Sequence, residues 1–236
     1  LNGCNGTISI TKNDLAVDGK GIGLEGSNAS SGSEGLVANN EITSSAGFGP
    51  GFQVEDSEYQ RLYHNSVNMT GGGQALRATV DFFDLTGTVA KNNVLISSGG
   101  QAMYVDEEGG LTLDYNGLYT TGPVLVRYNG TEHGSLSDYQ SNTGQGANAQ
   151  FAFPAFQSAT DLRPDSPFFD DEGTDLTATV PTDIDGTSRS TPTSIGAHKY
   201  TAPKPKLAAG TYTIGPDPYP TFSAAVDTLK RRGVAG

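Results

Sequence analysis

Short bursts of alternating apolar and polar residues run through the first half of the chain, separated by clusters of Gly, Asn, Asp and Ser. Residues 7–10 (TISI), 51–54 (GFQV) and 122–126 (GPVLV) are examples. Apolar residues that alternate or come in short runs are typical of β-strands, and the polar clusters are typical of turns. Helical periodicity is nearly absent before residue 220. The pattern therefore predicts many short strands joined by turns.

One polar position recurs at a regular interval. Five segments share the pattern apolar-x-x-Asn-x-apolar, and their asparagines are Asn13, Asn40, Asn65, Asn92 and Asn116. The intervals are 27 (13 to 40), 25 (40 to 65), 27 (65 to 92) and 24 residues (92 to 116). Internal repeats of this length are typical of solenoids. We therefore predict a coiled chain in which each repeat forms one coil of two or three strands.

In such a coil, equivalent strands stack in register about 4.8 Å apart and form parallel sheets. The five asparagines are then expected at one corner of every coil. Asn tolerates the left-handed backbone that such corners often need. Its side-chain amide also hydrogen-bonds to the coils above and below when identical residues stack. The sequence thus predicts a structural Asn ladder along the solenoid.

The repeat resembles that of a known family. The Asn pattern, with the Gly-x-Gly segments at residues 21–24 (GIGL) and 49–52 (GPGF), is similar to the pectate-lyase-like repeat. The resemblance covers residues 5–130 and implies an all-β, right-handed parallel β-helix. The same fold serves lyases, hydrolases, phage tailspikes and inert stalks, so the resemblance implies no single activity.

The repeat stops near residue 130. Residues 131–200 are rich in Gly, Ser, Thr, Asp and Pro, and we expect an irregular closing region that packs along the solenoid or caps its end. The string Asp183-Ile-Asp-Gly186, followed by Arg189 and residues 195–200 (IGAHKY), resembles the closing region of β-helix modules in secreted surface proteins of Bacteroidetes.

Residues 201–236 are predicted to form a linker, a short strand at residues 210–215 and one short amphipathic helix at 221–232. The apolar stripe of that helix comprises Phe222, Ala225, Val226 and Leu229. This tail resembles the start of the next module in tandem surface proteins. Alternatively, the tail closes this module or caps a neighbouring copy, which would let the protein assemble head to tail. The predicted organisation is coils 1–130, closing region 131–200 and tail 201–236.

Charge and composition narrow the possible partners. The net charge of −12 disfavours nucleic acid and could attract cations. The one cysteine, Cys4, excludes an intrachain disulfide, and no apolar run is long enough to span a membrane. We expect an extracellular or cell-surface location, neighbouring modules or copies of the chain as partners, and no cofactor, with Ca²⁺ as the one cation to consider.

Polysaccharide cleavage is the natural enzymatic hypothesis for this fold. A lyase needs a base and neutralisation of the uronate carboxylate, often by Ca²⁺, and a hydrolase needs two carboxylates. The candidates are Asp81, Asp84 and Asp106, with Arg77 as a positive charge. Asp81 and Asp106 are 25 residues apart, about one coil, so their carboxylates could stack and bind a cation. The alternative, which we favour, is a row of acidic turns in solvent.

A second possible cation site lies in the closing region. Asp183-x-Asp185-Gly186 resembles the start of a Ca²⁺ loop but lacks the terminal Glu. We expect a turn held by aspartate side chains in preference to a metal site. Of the histidines, His64 is expected to be exposed at its corner, His133 to lie in a loop, and His198 to be structural.

Sugar binding without cleavage would need exposed aromatic residues. Tyr104 and Tyr128 are 24 residues apart and could form a stripe, with simple stacking along the coil as the alternative. Two functions therefore stay open. The first, which we favour, is a non-enzymatic structural or adhesive module of a large secreted or surface protein (a stalk, adhesin or filament unit), with polysaccharide binding as an option. The second is a carbohydrate-active enzyme, a polysaccharide lyase or glycoside hydrolase, of the pectate-lyase-like class.

Overall fold

The computed structural model describes residues 1–79, 84–106, 110–165 and 169–199, and over these residues the chain is a parallel β-solenoid. Three strands form each of five successive coils. The strands are β1 (Ser9–Thr11), β2 (Asp14–Val17), β3 (Ile22–Glu25), β4 (Gly35–Ala38), β5 (Glu41–Ser44), β6 (Phe52–Glu55), β7 (Gln60–Tyr63), β8 (Ser66–Met69), β9 (Leu76–Thr79), β10 (Val89–Lys91), β11 (Val94–Ser97), β12 (Met103–Asp106), β13 (Thr112–Asp114), β14 (Gly117–Thr120) and β15 (Val126–Tyr128).

Equivalent strands of successive coils stack into three sheets. The first sheet has the order β1-β4-β7-β10-β13. The second sheet is β2-β5-β8-β11-β14 and is extended by β17 (Gln150–Phe151); the third is β3-β6-β9-β12-β15 and is extended by β16 (Thr131–His133). All pairings between coils are parallel, whereas β16 pairs with β15 in the antiparallel sense. The predicted all-β solenoid is confirmed.

The core is narrow, because each coil contributes only a few inward side chains. Val37, Leu62 and Ala90 lie opposite one another in the first sheet, and all three are almost fully buried. Ile42 and Val67 face them in the same way from the second sheet. A core only a few side chains wide in each layer explains how a chain with 35% hydrophobic residues still buries a continuous apolar column.

A ladder of asparagines runs along the corner between the first and second sheets. Its side-chain amides donate in turn from Asn13 to Asn40 (2.8 Å), from Asn40 to Asn65 (2.9 Å), from Asn65 to Asn93 (2.9 Å) and from Asn93 to Asn116 (3.0 Å). The fourth member is therefore Asn93, and the prediction of Asn92 was wrong. Residues 89–94 and 90–95 both fit the repeat pattern, but Ala90 pairs with Leu62, which sets the register one residue later.

The left-handed backbone of this corner belongs to the residue before each ladder asparagine. Lys12, Asn39, His64, Asn92 and Tyr115 have φ between 53° and 59°. The expectation that the ladder asparagines themselves take this conformation was wrong. At each corner, one residue has the left-handed conformation that turns the chain, and the asparagine that follows it hydrogen-bonds to the neighbouring coils.

The closing region contains a helix that the sequence analysis did not predict. Helix α1 (Leu136–Thr143) begins after Ser135, whose hydroxyl accepts from the Asp138 N–H, and ends at Gly144, which has φ 69°. Its polar sequence hides the helical period, and only Tyr139 is fully buried. The Ser-x-x-Asp start and the following glycine were the available signals.

The tail predicted at 201–236, including its helix, lies outside the described residues.

The rest of the closing region lies against the outside of the first and second sheets. Phe169 and Ile195 pack on Val94 and Ile96 of the second sheet, and Val180 packs on Ala38 and Tyr63 of the first. The register shift of the fourth coil supplies part of this surface, since it turns Val94 outward. Side chains of the coil corners also bind the closing backbone: Asn39 Nδ2 donates to the Thr182 carbonyl (2.7 Å) and Asn92 Nδ2 to that of Thr174 (2.8 Å).

Candidate functional site

The outer face of the third sheet carries a stack of two arginines and a tyrosine. Tyr104 pairs with Arg77 on one side and with Arg127 on the other, so the three side chains form one row across three coils. The guanidinium carbons of Arg77 and Arg127 lie 5.3 and 4.7 Å from the Tyr104 ring centre. Arg127 also donates to the Tyr104 hydroxyl (2.6 Å). This row can present positive charge and an aromatic ring to a ligand.

Two of the carboxylates predicted for catalysis, Asp84 and Asp106, lie within the described residues. Asp106 lies on the same face, two residues along β12 from Tyr104, and pairs with Thr79. Asp84 lies in the turn before β10, where it accepts from the Thr86 hydroxyl (2.6 Å). Asp81 lies outside the described residues, so its pairing with Asp106 stays a prediction.

Two other carboxylates on this face have local partners. Glu25 forms an ion pair with Lys20, and the hydrogen bond from that ammonium lowers the pKa of Glu25 despite the opposing effect of partial burial. Glu55 accepts from the side-chain amide of Gln53. Both groups are thus engaged within their own coil.

A groove runs along the outer face of the second sheet. One row of the sheet forms much of its floor, since Thr43, Asn68, Ile96 and Tyr119 lie opposite one another in successive coils. The loop around Ala159 forms one wall. Two adjoining cavities of about 440 and 450 Å³ share Thr70 and Ala159 and together follow the groove across the coils. Among the described residues that line the two cavities, Asp18 is the one that carries a charge.

Aromatic side chains close one end of this groove. The Tyr119 ring lies 5.7 Å from Phe151 and 5.1 Å from Phe153, and Phe151 is 53% exposed. Tyr104 and Tyr128 do not form the stripe that their spacing allowed. Tyr128 lies opposite Val105, so it faces the other side of the sheet and packs against Tyr139.

A third cavity, of about 510 Å³, lies where β16 meets α1. Its lining includes Glu132, His133 and Asp138, and His133 Nδ1 lies 3.1 Å from Asp138 Oδ2. His133, predicted to lie in a loop, ends β16 and is buried. The pair ties the hairpin to the first turn of the helix.

A buried polar cluster joins the closing region to the second coil. His198 Nε2 lies 2.8 Å from Glu41 Oε1, and its Nδ1 lies 3.0 Å from Asp185 Oδ2. Burial alone would lower the pKa of His198, but contact with the two carboxylates raises it above its ordinary value. Arg163 contacts Asp185 (3.5 Å) and Asp161 (3.0 Å) at the exposed side of the cluster.

The predicted aspartate turn has a clear structural arrangement. Asp183 is buried and accepts from two backbone groups, the Thr187 N–H (2.7 Å) and the Lys199 N–H (2.9 Å). Asp185 points instead to His198. Asp183 therefore holds the turn, and the structure also brings the two predicted metal candidates together, since oxygens of Asp183 and Asp185 and a ring nitrogen of His198 lie within 4.8 Å of one another.

Two buried basic side chains hold the adjoining backbone. Arg189 donates to Asn39 Oδ1 (2.8 Å) and to the carbonyls of Gly196 and Ala197 (both 2.9 Å), and burial lowers its pKa to about 10.

His64 is fully buried, so the prediction that it is exposed was wrong. Its Nε2 lies 3.1 Å from Asn92 Nδ2. Burial, reinforced by the charge of Arg189, holds the pKa of His64 well below its ordinary value.

No protein-family model, curated protein or solved structure matches the chain. The likeness to pectate-lyase-like repeats therefore rests on the motif and the solenoid. Among the described residues, no helix combines the length and the apolar character that crossing a bilayer requires.

Sequence reasoning missed Glu41 and Asp161 as parts of the polar cluster. A signal existed for Glu41, because a charged residue directly after a ladder asparagine begins an outward-facing row of the second sheet. Asp161 carried no such signal, since it lies in an irregular loop whose position depends on tertiary packing.

Proposed function

We propose that the chain is a non-catalytic, adhesive β-helix module of a secreted or cell-surface protein that holds an uncharged polysaccharide in the groove of the second sheet. The observation that carries this proposal is the groove itself, an extended and almost uncharged channel with aromatic rings at one end. Neighbouring modules or copies of the chain are the partners that such a role would involve.

The edge of the groove suits a polymer with repeating hydroxyl groups. Thr70, Ser98 and Thr121 follow β8, β11 and β14 and are exposed, so hydroxyls from successive coils recur at the spacing of adjacent strands, about 4.8 Å. Thr43 and Asn68 lie buried in the floor beside them, and the Asn68 amide donates to the Ala159 carbonyl (3.4 Å). A linear glycan can repeat its contacts along such a surface, whereas a compact ligand would use only part of it.

The aromatic end and the charge favour a neutral sugar. Tyr119 and Phe153 present ring surface beside the polar floor, and an apolar surface with a few placed polar groups is typical of ligand sites. With a net charge of −12 and almost no cationic lining, the groove would repel a polyanion. The ligand class that fits is therefore an uncharged polysaccharide.

Affinity electrophoresis in gels containing neutral or acidic polysaccharides tests this proposal. We expect retardation by at least one neutral polymer and loss of about tenfold in affinity, about 1.4 kcal/mol, for Phe153→Ala. Phe48→Ala is the matched control, because Phe48 is 86% exposed and is not among the groove residues. Retardation by acidic polymers alone, or equal affinity of Phe153→Ala and the control, would overturn the proposal. A melting curve of each variant checks that the fold is retained.

A second function, cleavage of an acidic polysaccharide, is favoured by one observation. Arg77 and Asp106 share the outer face of the third sheet with Tyr104, which would place a cation and a carboxylate beside one ligand. Incubation with acidic polysaccharides, with and without Ca²⁺, would reveal unsaturated products by their ultraviolet absorbance. Product formation that disappears in Asp106→Asn would favour the enzyme over the adhesive module.

A further inference from the structure

The buried cluster around His198 has the composition of a metal site. A carboxylate oxygen of Glu41, one of Asp161 and a ring nitrogen of His198 all lie within 4.8 Å of one another. His198 and Glu41 are 4% and 5% exposed, whereas Asp161 is half-buried at the edge of the cluster. The three side chains come from β5, from the loop after residue 156 and from the end of the closing region.

The contact between His198 and Glu41 lacks the geometry of a hydrogen bond. Nε2 lies only 2.8 Å from Glu41 Oε1, yet this buried nitrogen has no hydrogen-bond partner, because the oxygen lies off the direction of the ring N–H bond. Two atoms that each bind the same tetrahedral ion at about 2.1 Å are separated by roughly 3.4 Å. The two atoms already face each other at 2.8 Å without a hydrogen bond, so a small outward movement of either side chain would let both bind one ion.

The other ring nitrogen has the partner expected of a metal-binding histidine. Nδ1 lies 3.0 Å from Asp185 Oδ2, so Asp185 accepts the Nδ1 proton and leaves Nε2 with a lone pair directed into the cluster. Histidines that bind metals usually donate their second N–H to a carboxylate or carbonyl in this way, which fixes the tautomer and the ring orientation.

The charges of the cluster also favour a dication. Glu41, Asp161 and Asp185 bring three carboxylates to this site, and Arg163 provides one guanidinium, which contacts the last two from the exposed side. Glu41 is the buried one of the three carboxylates, and a buried negative charge is costly unless it is paired or binds a metal.

We propose that Glu41, Asp161 and His198 bind a divalent transition-metal ion of the Zn²⁺ class, with Asp185 orienting His198. An imidazole and two carboxylates suit Zn²⁺ and its neighbours in the first transition row, whereas Ca²⁺ and Mg²⁺ prefer oxygen ligands alone. Three protein ligands leave a coordination position for water on the side of half-exposed Asp161. The ion would fasten the closing region to the second coil.

Calorimetric titration of the chelator-treated protein with Zn²⁺ tests this site. We expect one Zn²⁺ per chain, a higher melting temperature with Zn²⁺ than with chelator, and an absorption spectrum of the Co²⁺ form that reports nitrogen ligation. Asp161→Asn and His198→Gln are each expected to weaken Zn²⁺ binding at least tenfold. The control is His133→Gln, because His133 is also a buried histidine beside a carboxylate but lies at the far end of the solenoid.

Three outcomes would overturn the proposal. The first is an absence of Zn²⁺ binding by the folded protein. The second is unchanged affinity in Asp161→Asn, which should keep the fold because Asp161 is half-exposed. The third is tighter binding of Ca²⁺ than of Zn²⁺, which would exclude the imidazole as a ligand. Groove binding of polysaccharide is measured separately, so either proposal can fail without the other.

Discussion

The backbone N–H and the side-chain amide of Asn65 both donate to one atom, Oδ1 of Asn93 in the next coil (3.0 and 2.9 Å). The second amide proton of Asn65 goes to the Val37 carbonyl in the preceding coil (2.9 Å). One side chain therefore binds three consecutive coils in a place from which water is excluded. Buried polar groups are costly when unpaired, so each member of the ladder depends on its neighbours.

Replacing Asn65 with alanine is expected to lower the free energy of unfolding by about 2–4 kcal/mol, because buried donors and acceptors in the coils on both sides lose their partners. Asn40 would lose the acceptor of both its backbone and its side-chain N–H. Urea unfolding followed by circular dichroism measures the change. Asn5→Ala, at an exposed position, is the control and should stay within about 0.5 kcal/mol of the parent. Equal midpoints for the two variants would contradict the ladder's role.

The two adjacent asparagines of the fourth coil are expected to differ in what they stabilise. Asn93→Ala removes a ladder member and should lower the global free energy of unfolding by about 2–4 kcal/mol. Asn92→Gly keeps the left-handed backbone but removes two hydrogen bonds to Thr174, from Nδ2 to its carbonyl and from its N–H to Oδ1.

Hydrogen exchange distinguishes the two variants. Asn92→Gly should speed exchange at the Thr174 amide and its neighbours in the closing region while the coil amides stay protected. The assignment of the ladder to Asn93 would be wrong if Asn92→Gly lowered the global stability as much as Asn93→Ala.

The fourth coil also shows how far the sequence determines the fold. A repeat with one asparagine per coil is enough to predict stacked parallel strands, because every coil of a solenoid has the same local backbone conformation. Asn92 and Asn93 both fit the repeat pattern. Only the pairing of Ala90 with Leu62 of the preceding coil shows that Asn93 is the ladder member. Helix α1 was missed for a related reason. Tyr139 is its one buried side chain, so the helix has no repeating apolar positions that would indicate it in the sequence.

The polar cluster could not be predicted in the same way. Glu41 and His198 lie in different halves of the chain, and their contact depends on how an irregular segment packs on a regular one. His64 illustrates the same limit. His64 lies on the outside of its coil, and it is buried because the backbone around Gly196 in the closing region covers it.

Burial of His64 makes the stability of the fold depend on pH. The folded pKa is depressed by burial and by Arg189, so the unfolded chain binds a proton more readily once the pH falls below about 6.5. The stabilisation is therefore present above that pH and is lost progressively as the pH falls below it. Replacing His64 with Gln should flatten this part of the profile.

Urea unfolding at a series of pH values, with chelator present throughout, measures the effect. His133→Gln provides a comparison with a second buried histidine, one that has a carboxylate partner. If His64→Gln kept the slope of the parent below pH 6.5, the neutral state assigned to His64 in the fold would be wrong.

Close approach of successive coils at the turn after β8 requires glycine at position 71. A Cβ added to Gly71 would overlap the Ser45 carbonyl oxygen and lie 2.5 Å from that of Ala46, both backbone atoms of the preceding coil. Gly71→Ala must therefore push two coils apart, and we expect it to lower the free energy of unfolding by about 3 kcal/mol or more. Gly47→Ala is the matched control, because its added Cβ would meet only the Gly71 carbonyl, at 3.4 Å. Urea midpoints that fall equally for both variants, or for neither, would show that the coils are not packed this closely.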